Sequence, residues 1–129
     1  MTIQLTQKES ENYFHSALCN GLNYFRGYDL SLSYSGADYK KAKDFLSKKI
    51  ETVCFEDVLL QILIDGGALD VIDEGYEGSY SSSITLKDVH NRVSKTDSRF
   101  LIQMDQGNDD ADTADCILQT VFFEEVIFG

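Results

Sequence analysis

Apolar positions along the chain change period several times, and each change marks an element. Between Ser10 and Phe25, Phe14, Ala17, Leu18, Leu22 and Phe25 recur at helical spacing, with Gly27 just beyond as a stop. This predicts a first helix, with Gly21 inside it as its weak point. Tyr28, Leu30, Leu32 and Tyr34 then alternate with Asp29, Ser31, Ser33 and Ser35, the period of a strand with one buried face. Ser35 to Asp38 supply capping oxygens for a second helix. In it Tyr39, Ala42, Phe45, Leu46 and Ile50 share a side, and Lys40, Lys41, Lys43, Lys48 and Lys49 occupy the remainder. Cys54 to Ile64 is apolar almost all round and stops at Gly66 and Gly67, which predicts a central buried helix.

Ala68 to Asp73 and Ser79 to Ile84 read as two strands of a hairpin with a long acidic tip. Thr85 opens a helix whose inward face is Leu86, Val89 and Val93, with Asp88 as a short-armed capping-box partner. A further helix runs from Asp97 to near Gly107. The last is capped by Asp112 or Thr113 and carries Ala114, Ile117, Leu118 and Val121 inward, and Val126 to Phe128 closes as a strand. The order is mixed rather than regularly alternating. It predicts an α+β fold, a single compact domain (1–129) of about five helices with a small, largely antiparallel sheet.

Charge changes this picture more than composition does. The length of 129 residues and the 43% hydrophobic content are ordinary for one domain, but 22 acidic against 11 basic side chains leave a net charge of -11. Such a chain repels phosphate backbones and anionic membranes, so direct nucleic-acid and membrane contact are not expected. Residues 1–50 carry seven basic and five acidic side chains, a net of +2, whereas residues 51–129 carry four and seventeen, a net of -13. This lopsidedness suits steering of a basic partner or head-to-tail self-association, unless folding brings the two parts together and cancels it. No leader-like start and no apolar run of roughly 20 residues are present, which predicts a soluble, cytoplasmic chain. Cys19, Cys54 and Cys116 form neither a disulfide framework nor a zinc knuckle by spacing and fit a reducing compartment.

Few side chains suggest chemistry. His15 and Cys19 lie four apart on one helix side, but two groups make no metal site, and burial is the ordinary fate of such a pair. Lys87, His90 and Arg92, with Asn91 and Lys95, form the basic cluster of the acidic part, suited to a small anion such as a nucleotide phosphate. The run Asp105, Asn108, Asp109, Asp110, Asp112 and Asp115 offers hard oxygens for calcium, yet its sixth position is not Gly and its twelfth is Cys116, so it reads as a charged loop and helix cap. Asp70, Asp73, Glu74 and Glu77 cluster near the hairpin tip with no sign of the desolvation that acid–base work needs. Nucleotide-loop, metalloprotease and hydrolase motifs are absent, so no enzymatic activity and no cofactor are expected. Seven Tyr and eight Phe, five of the Tyr within the first 39 residues, suit either core packing or a contact surface. The apolar end, Val121 to Phe128, must dock onto the chain's own sheet or onto another subunit of a homo-oligomer.

The stretches 13–22, 55–63, 84–90 and 117–123 resemble uncharacterised small acidic hypothetical proteins of gut anaerobic bacteria and their phages. The resemblance covers most of the chain and carries over no site residue. It implies a phage-associated context, in which such proteins act as accessory factors by binding. The first functional expectation is therefore a non-enzymatic interaction protein. Its partner-binding residues are Asp73, Glu74, Glu77, Asp109, Asp110 and Asp112, and they cover a basic surface on a partner protein. The second is an oligomeric binder of a small anionic ligand at Lys87, His90 and Arg92.

Overall fold

Capping pairs set where the first elements begin and end. The computed structural model describes residues 4–75, 80–107 and 111–128. Helix α1 (Gln7–Gly27) starts a turn before the apolar spacing shows, because Thr6 and Glu9 form a reciprocal capping box with bonds of 3.1 and 2.9 Å. At its other end the Tyr28 amide donates back to Tyr24 and Phe25, and Asp29 takes a left-handed φ of 59°. Tyr28 is thus a helix cap rather than a strand residue, and β1 shortens to Leu30–Ser33. The Ser35 hydroxyl caps α2 (Gly36–Ser47), accepting the Asp38 amide at 3.3 Å. Asp57 holds the amide of Cys54 at 3.0 Å at the start of α3 (Phe55–Ile64).

β2 (Leu69–Asp73) lies between β1 and β3 (Ser82–Ile84), antiparallel to both, with Leu32 opposite Val71 and Leu69 opposite Ile84. The period of two sends Leu30, Leu32, Leu69, Val71 and Ile84 toward the helices. Ser31, Ser33, Asp70, Ile72 and Ser83 face away, and Ile72 stays 43% exposed. After the sheet come α4 (Leu86–Val93), α5 (Ser98–Asp105) and α6 (Ala111–Phe123). Asp88 accepts the Thr85 amide at 2.9 Å, the short-armed box expected there. The fold class is α+β, with six helices rather than about five among the described residues.

The central buried helix is α6, not α3. Helix α3 buries Val58, Leu59, Ile62 and Leu63 but leaves Phe55 and Ile64 at 41% and 44% exposure. Helix α6 is buried from Thr113 to Phe122 except at Cys116, because α1, α4, α5 and β3 all pack on it. Phe122 sits between Phe14 and Phe25, ring centroids 6.3 and 5.6 Å away. Each such side chain contributes roughly 1.5–3 kcal/mol of burial. Helix α2 packs on α3, away from this centre. The segment from Val126 to Phe128 is no strand. Instead the Gln119 side chain accepts the Ile127 and Phe128 amides at 2.8 Å, and the Phe128 ring stacks on Tyr28 at 4.8 Å. Among the described residues no helix is long and apolar enough to cross a membrane.

Candidate functional site

Tyr13, Ala17, Gly21 and Tyr24 fall three or four apart on α1 and so form one stripe, which the cap residue Tyr28 extends. On α6, Asp112, Asp115 and Gln119 form the facing stripe. Small residues at the middle of α1 allow close approach, and the tyrosines on either side reach carboxylates. Tyr13 donates to Asp105 at 2.5 Å, Tyr24 to Asp112 at 2.7 Å and Tyr28 to Asp115 at 2.7 Å. These are short, charge-assisted bonds. Burial, reinforced by the adjacent carboxylate, pushes the Tyr13 and Tyr28 phenols well above their ordinary range, so both remain donors. Asp105 and Asp112 are exposed and held in place, an acidic face whose geometry α1 fixes.

Asp115 is different. It is buried, and one oxygen accepts both Tyr28 and the Gln119 amide at 2.9 Å while the other has no partner. Burial raises its pKa, against the lowering by those two donors, and Asp112 raises it further. A carboxyl whose folded value is raised favours the fold at low pH. That contribution is complete below the unfolded value of about 3.9 and is lost as pH rises through the folded value. Wherever the carboxyl is ionised, the fold carries a desolvated charge here. Asp115→Asn keeps one oxygen for both donors and removes that charge. It is expected to raise Tm by a few degrees at pH 7, a gain that disappears on titration toward pH 3. A lowered Tm at pH 7 in a calorimetric pH series would show that the carboxylate is needed as an ion.

The other carboxylates singled out from the sequence scatter. Asp73 is buried at 3% exposure and turns back on its own chain, accepting the Gly75 amide at 2.9 Å and the Tyr80 amide at 3.1 Å. It organises the turn instead of facing a partner. Glu74 is exposed and accepts the Ser31 hydroxyl at 3.2 Å. Glu77, Asp109 and Asp110 lie outside the described residues. Among the described residues no group of three His, Cys, Asp or Glu is placed to hold a metal.

Lys87, His90 and Arg92 do not converge. On a helix turning about 100° per residue, Arg92 lies some 140° from Lys87 and further from His90. Lys87 is exposed, and His90 meets Ser10 of α1 through Nδ1 at 3.1 Å. Arg92 donates to the Val121 carbonyl at 2.9 Å, where a cation suits the end of α6, and lies 3.6 Å from Glu124 and 3.7 Å from Asp88. His15 pairs with Asp57 across α1 and α3 at 2.7 Å. Cys19 is not an activated nucleophile, since burial and then Glu56 and Asp57 push its thiol up.

The charge asymmetry survives folding at the level of ion pairs. Among the described residues, none of the α2 lysines lies in an ion pair, and Asp105, Asp112 and Asp115 of the acidic run are met by phenols, and Asp115 also by the Gln119 amide, rather than by cations. No family model, no curated protein and no solved structure matches this chain.

Proposed function

We propose that the protein is a non-enzymatic binding protein whose acidic face, on the α1, α5 and α6 side, covers a basic surface of a partner protein. One observation carries this reading. Asp105 and Asp112 are exposed, yet their positions are fixed by Tyr13 and Tyr24 rather than neutralised by cations, so their negative field is kept and pre-organised. Asp109 and Asp110 lie between them in sequence and add two charges to the same run. Complementary charge of this kind governs encounter rate and partner choice more than raw affinity. The second reading, a small-anion site at Lys87, His90 and Arg92, has less behind it: Lys87 and His90 share a side of α4, but Arg92 lies on the other side and is engaged by the Val121 carbonyl.

The test is a binding panel of basic proteins, including ones that normally hold nucleic acid, titrated at increasing salt. A genuine complex is expected to weaken about tenfold when ionic strength is raised well above 0.15 M, and by a similar factor when Asp109, Asp110 and Asp112 are reversed to lysine together. Partners bound with the same affinity through both changes would remove the acidic face from the interaction.

A further inference from the structure

Among the described residues β1 is an outer strand of the sheet, with β2 on one of its sides and no strand on the other. In an antiparallel pair, backbone groups point at the partner at every second residue. The Glu74 amide donates to the Asp29 carbonyl at 3.0 Å, which continues the ladder and places Asp29, Ser31 and Ser33 in the bonding phase. Leu30 and Leu32 therefore turn their N–H and C=O outward. Among the described residues, no turn, loop or side-chain group bonds them from that side. The strand is short, at four residues, but among the described residues it carries neither Pro nor Lys and its register has no bulge, so three of the usual devices that close an exposed edge are not used.

Beside this edge runs a groove of about 510 Å³ between the end of α1 and the start of α3. Its apolar lining includes Leu22, Leu32 and Phe55, the last a ring left 41% exposed. Three carboxylates, Asp29, Glu56 and Glu74, line the same groove against one cation, Arg26. We infer that β1 is a docking edge for an extended, basic peptide segment of a partner protein, which adds as a fourth strand along Leu30 and Leu32. Main-chain bonds to the edge supply the affinity, alternate apolar side chains meet Leu22, Leu32 and Phe55, and the Lys or Arg between them turns to the face of Ser31, where Glu74 lies, within the field of Asp29 and Glu56. A second copy of this chain fits less well, because pairing β1 with β1 sets two acidic rims against each other. This surface is separate from the Tyr–Asp face, so its failure leaves that reading standing.

The experiment uses the full chain and an alternating lysine–valine peptide of about eight residues, long enough to span the strand. Two controls accompany it, a glutamate–valine peptide and the lysine–valine peptide N-methylated on every second amide. Affinity is read by fluorescence anisotropy, and the site by hydrogen exchange at individual amides. The lysine–valine peptide is expected to bind and to slow exchange at Leu30 and Leu32 about tenfold, while both controls lose binding about tenfold or more. Glu56→Gln and Glu74→Gln are each expected to weaken it about threefold. Binding without protection of Leu30 and Leu32, equal binding of the N-methylated peptide, or no binding at millimolar peptide would overturn the assignment. So would protection of both amides in peptide-free protein that grows with protein concentration, since a second copy then occupies the edge.

Discussion

Replacing Gln119 by leucine is expected to cost about 3–4 kcal/mol and to release the chain's end. Gln119 is fully buried, and leucine nearly matches its volume, so no cavity opens. What is lost is polar. The Gln119 oxygen accepts the Ile127 and Phe128 amides at 2.8 Å, and its nitrogen donates to the Phe128 carbonyl at 3.1 Å and to Asp115 at 2.9 Å. Leaving two half-buried amides unpaired costs up to roughly 1–3 kcal/mol each, so the segment turns to water instead. That exit removes the half-buried Phe128 ring from Tyr28 and from the edge contact with Tyr80 at 5.4 Å, part of the roughly 1.5–3 kcal/mol that full burial of such a ring contributes. Asp115 also loses one of its two donors, which adds to the loss. The readouts are the urea midpoint and the exchange rates of the Ile127 and Phe128 amides. A loss under about 1 kcal/mol with those amides still protected would mean that the aromatic contacts hold the segment without Gln119.

The behaviour of Gln119 also shows why part of the fold could not be read from one sequence. Periodicity identifies α1 to α6 because each has an apolar stripe, and the capping residues Ser35, Thr85 and Asp97 mark starts that the structure keeps. It misjudges which helix is central. Helix α3 looks more apolar than α6, whose Asp112, Thr113, Asp115, Gln119 and Thr120 suggest a wet face. Asp115 and Gln119 are instead buried against distant parts of the chain, Asp115 by Tyr28 and Gln119 by the chain's end, and the exposed Asp112 is reached by Tyr24; no local pattern encodes such pairing. The tyrosine-rich start and the acidic run are each conspicuous, but their meeting is not. The available signal was the stripe Tyr13, Ala17, Gly21, Tyr24 at helical spacing, in which large polar-tipped residues flank small ones. Asp73 and Glu74 read as one acidic pair, yet strand alternation turns the first inward and leaves the second outside. The basic cluster on α4 is split for the same kind of reason: Lys87 and His90 share a side of the helix, while Arg92 turns to the other side and meets the Val121 carbonyl.

Gly21, which looks in the sequence like a defect in α1, is expected to be among its least replaceable residues. In an isolated helix Gly→Ala gains about 1 kcal/mol, because glycine loses more backbone freedom on ordering. Here a Cβ at position 21 would lie 2.9 Å from the Ala114 carbonyl carbon and the Asp115 nitrogen, and 3.0 Å from the Ala114 Cβ. The obstacle is the backbone of α6, which cannot swing aside as a side chain does. Helices α1 and α6 must therefore separate, which stretches the Tyr24–Asp112 and Tyr28–Asp115 bonds and loosens Phe122 between Phe14 and Phe25. Overpacking of this kind costs roughly 1–3 kcal/mol, and more against rigid atoms, so Gly21→Ala is expected to lose about 2 kcal/mol net and Gly21→Val about 4. Gly27, on the same helix, has nothing within 4 Å of its would-be Cβ and no positive φ. Gly27→Ala is therefore expected to gain a few tenths to about 1 kcal/mol. The same substitution on one helix thus takes opposite signs six residues apart, and paired denaturation curves decide it. If both alanines stabilise the chain equally, α1 and α6 do not approach at Gly21, and the tyrosines that reach across that crossing lose the scaffold that positions the acidic face.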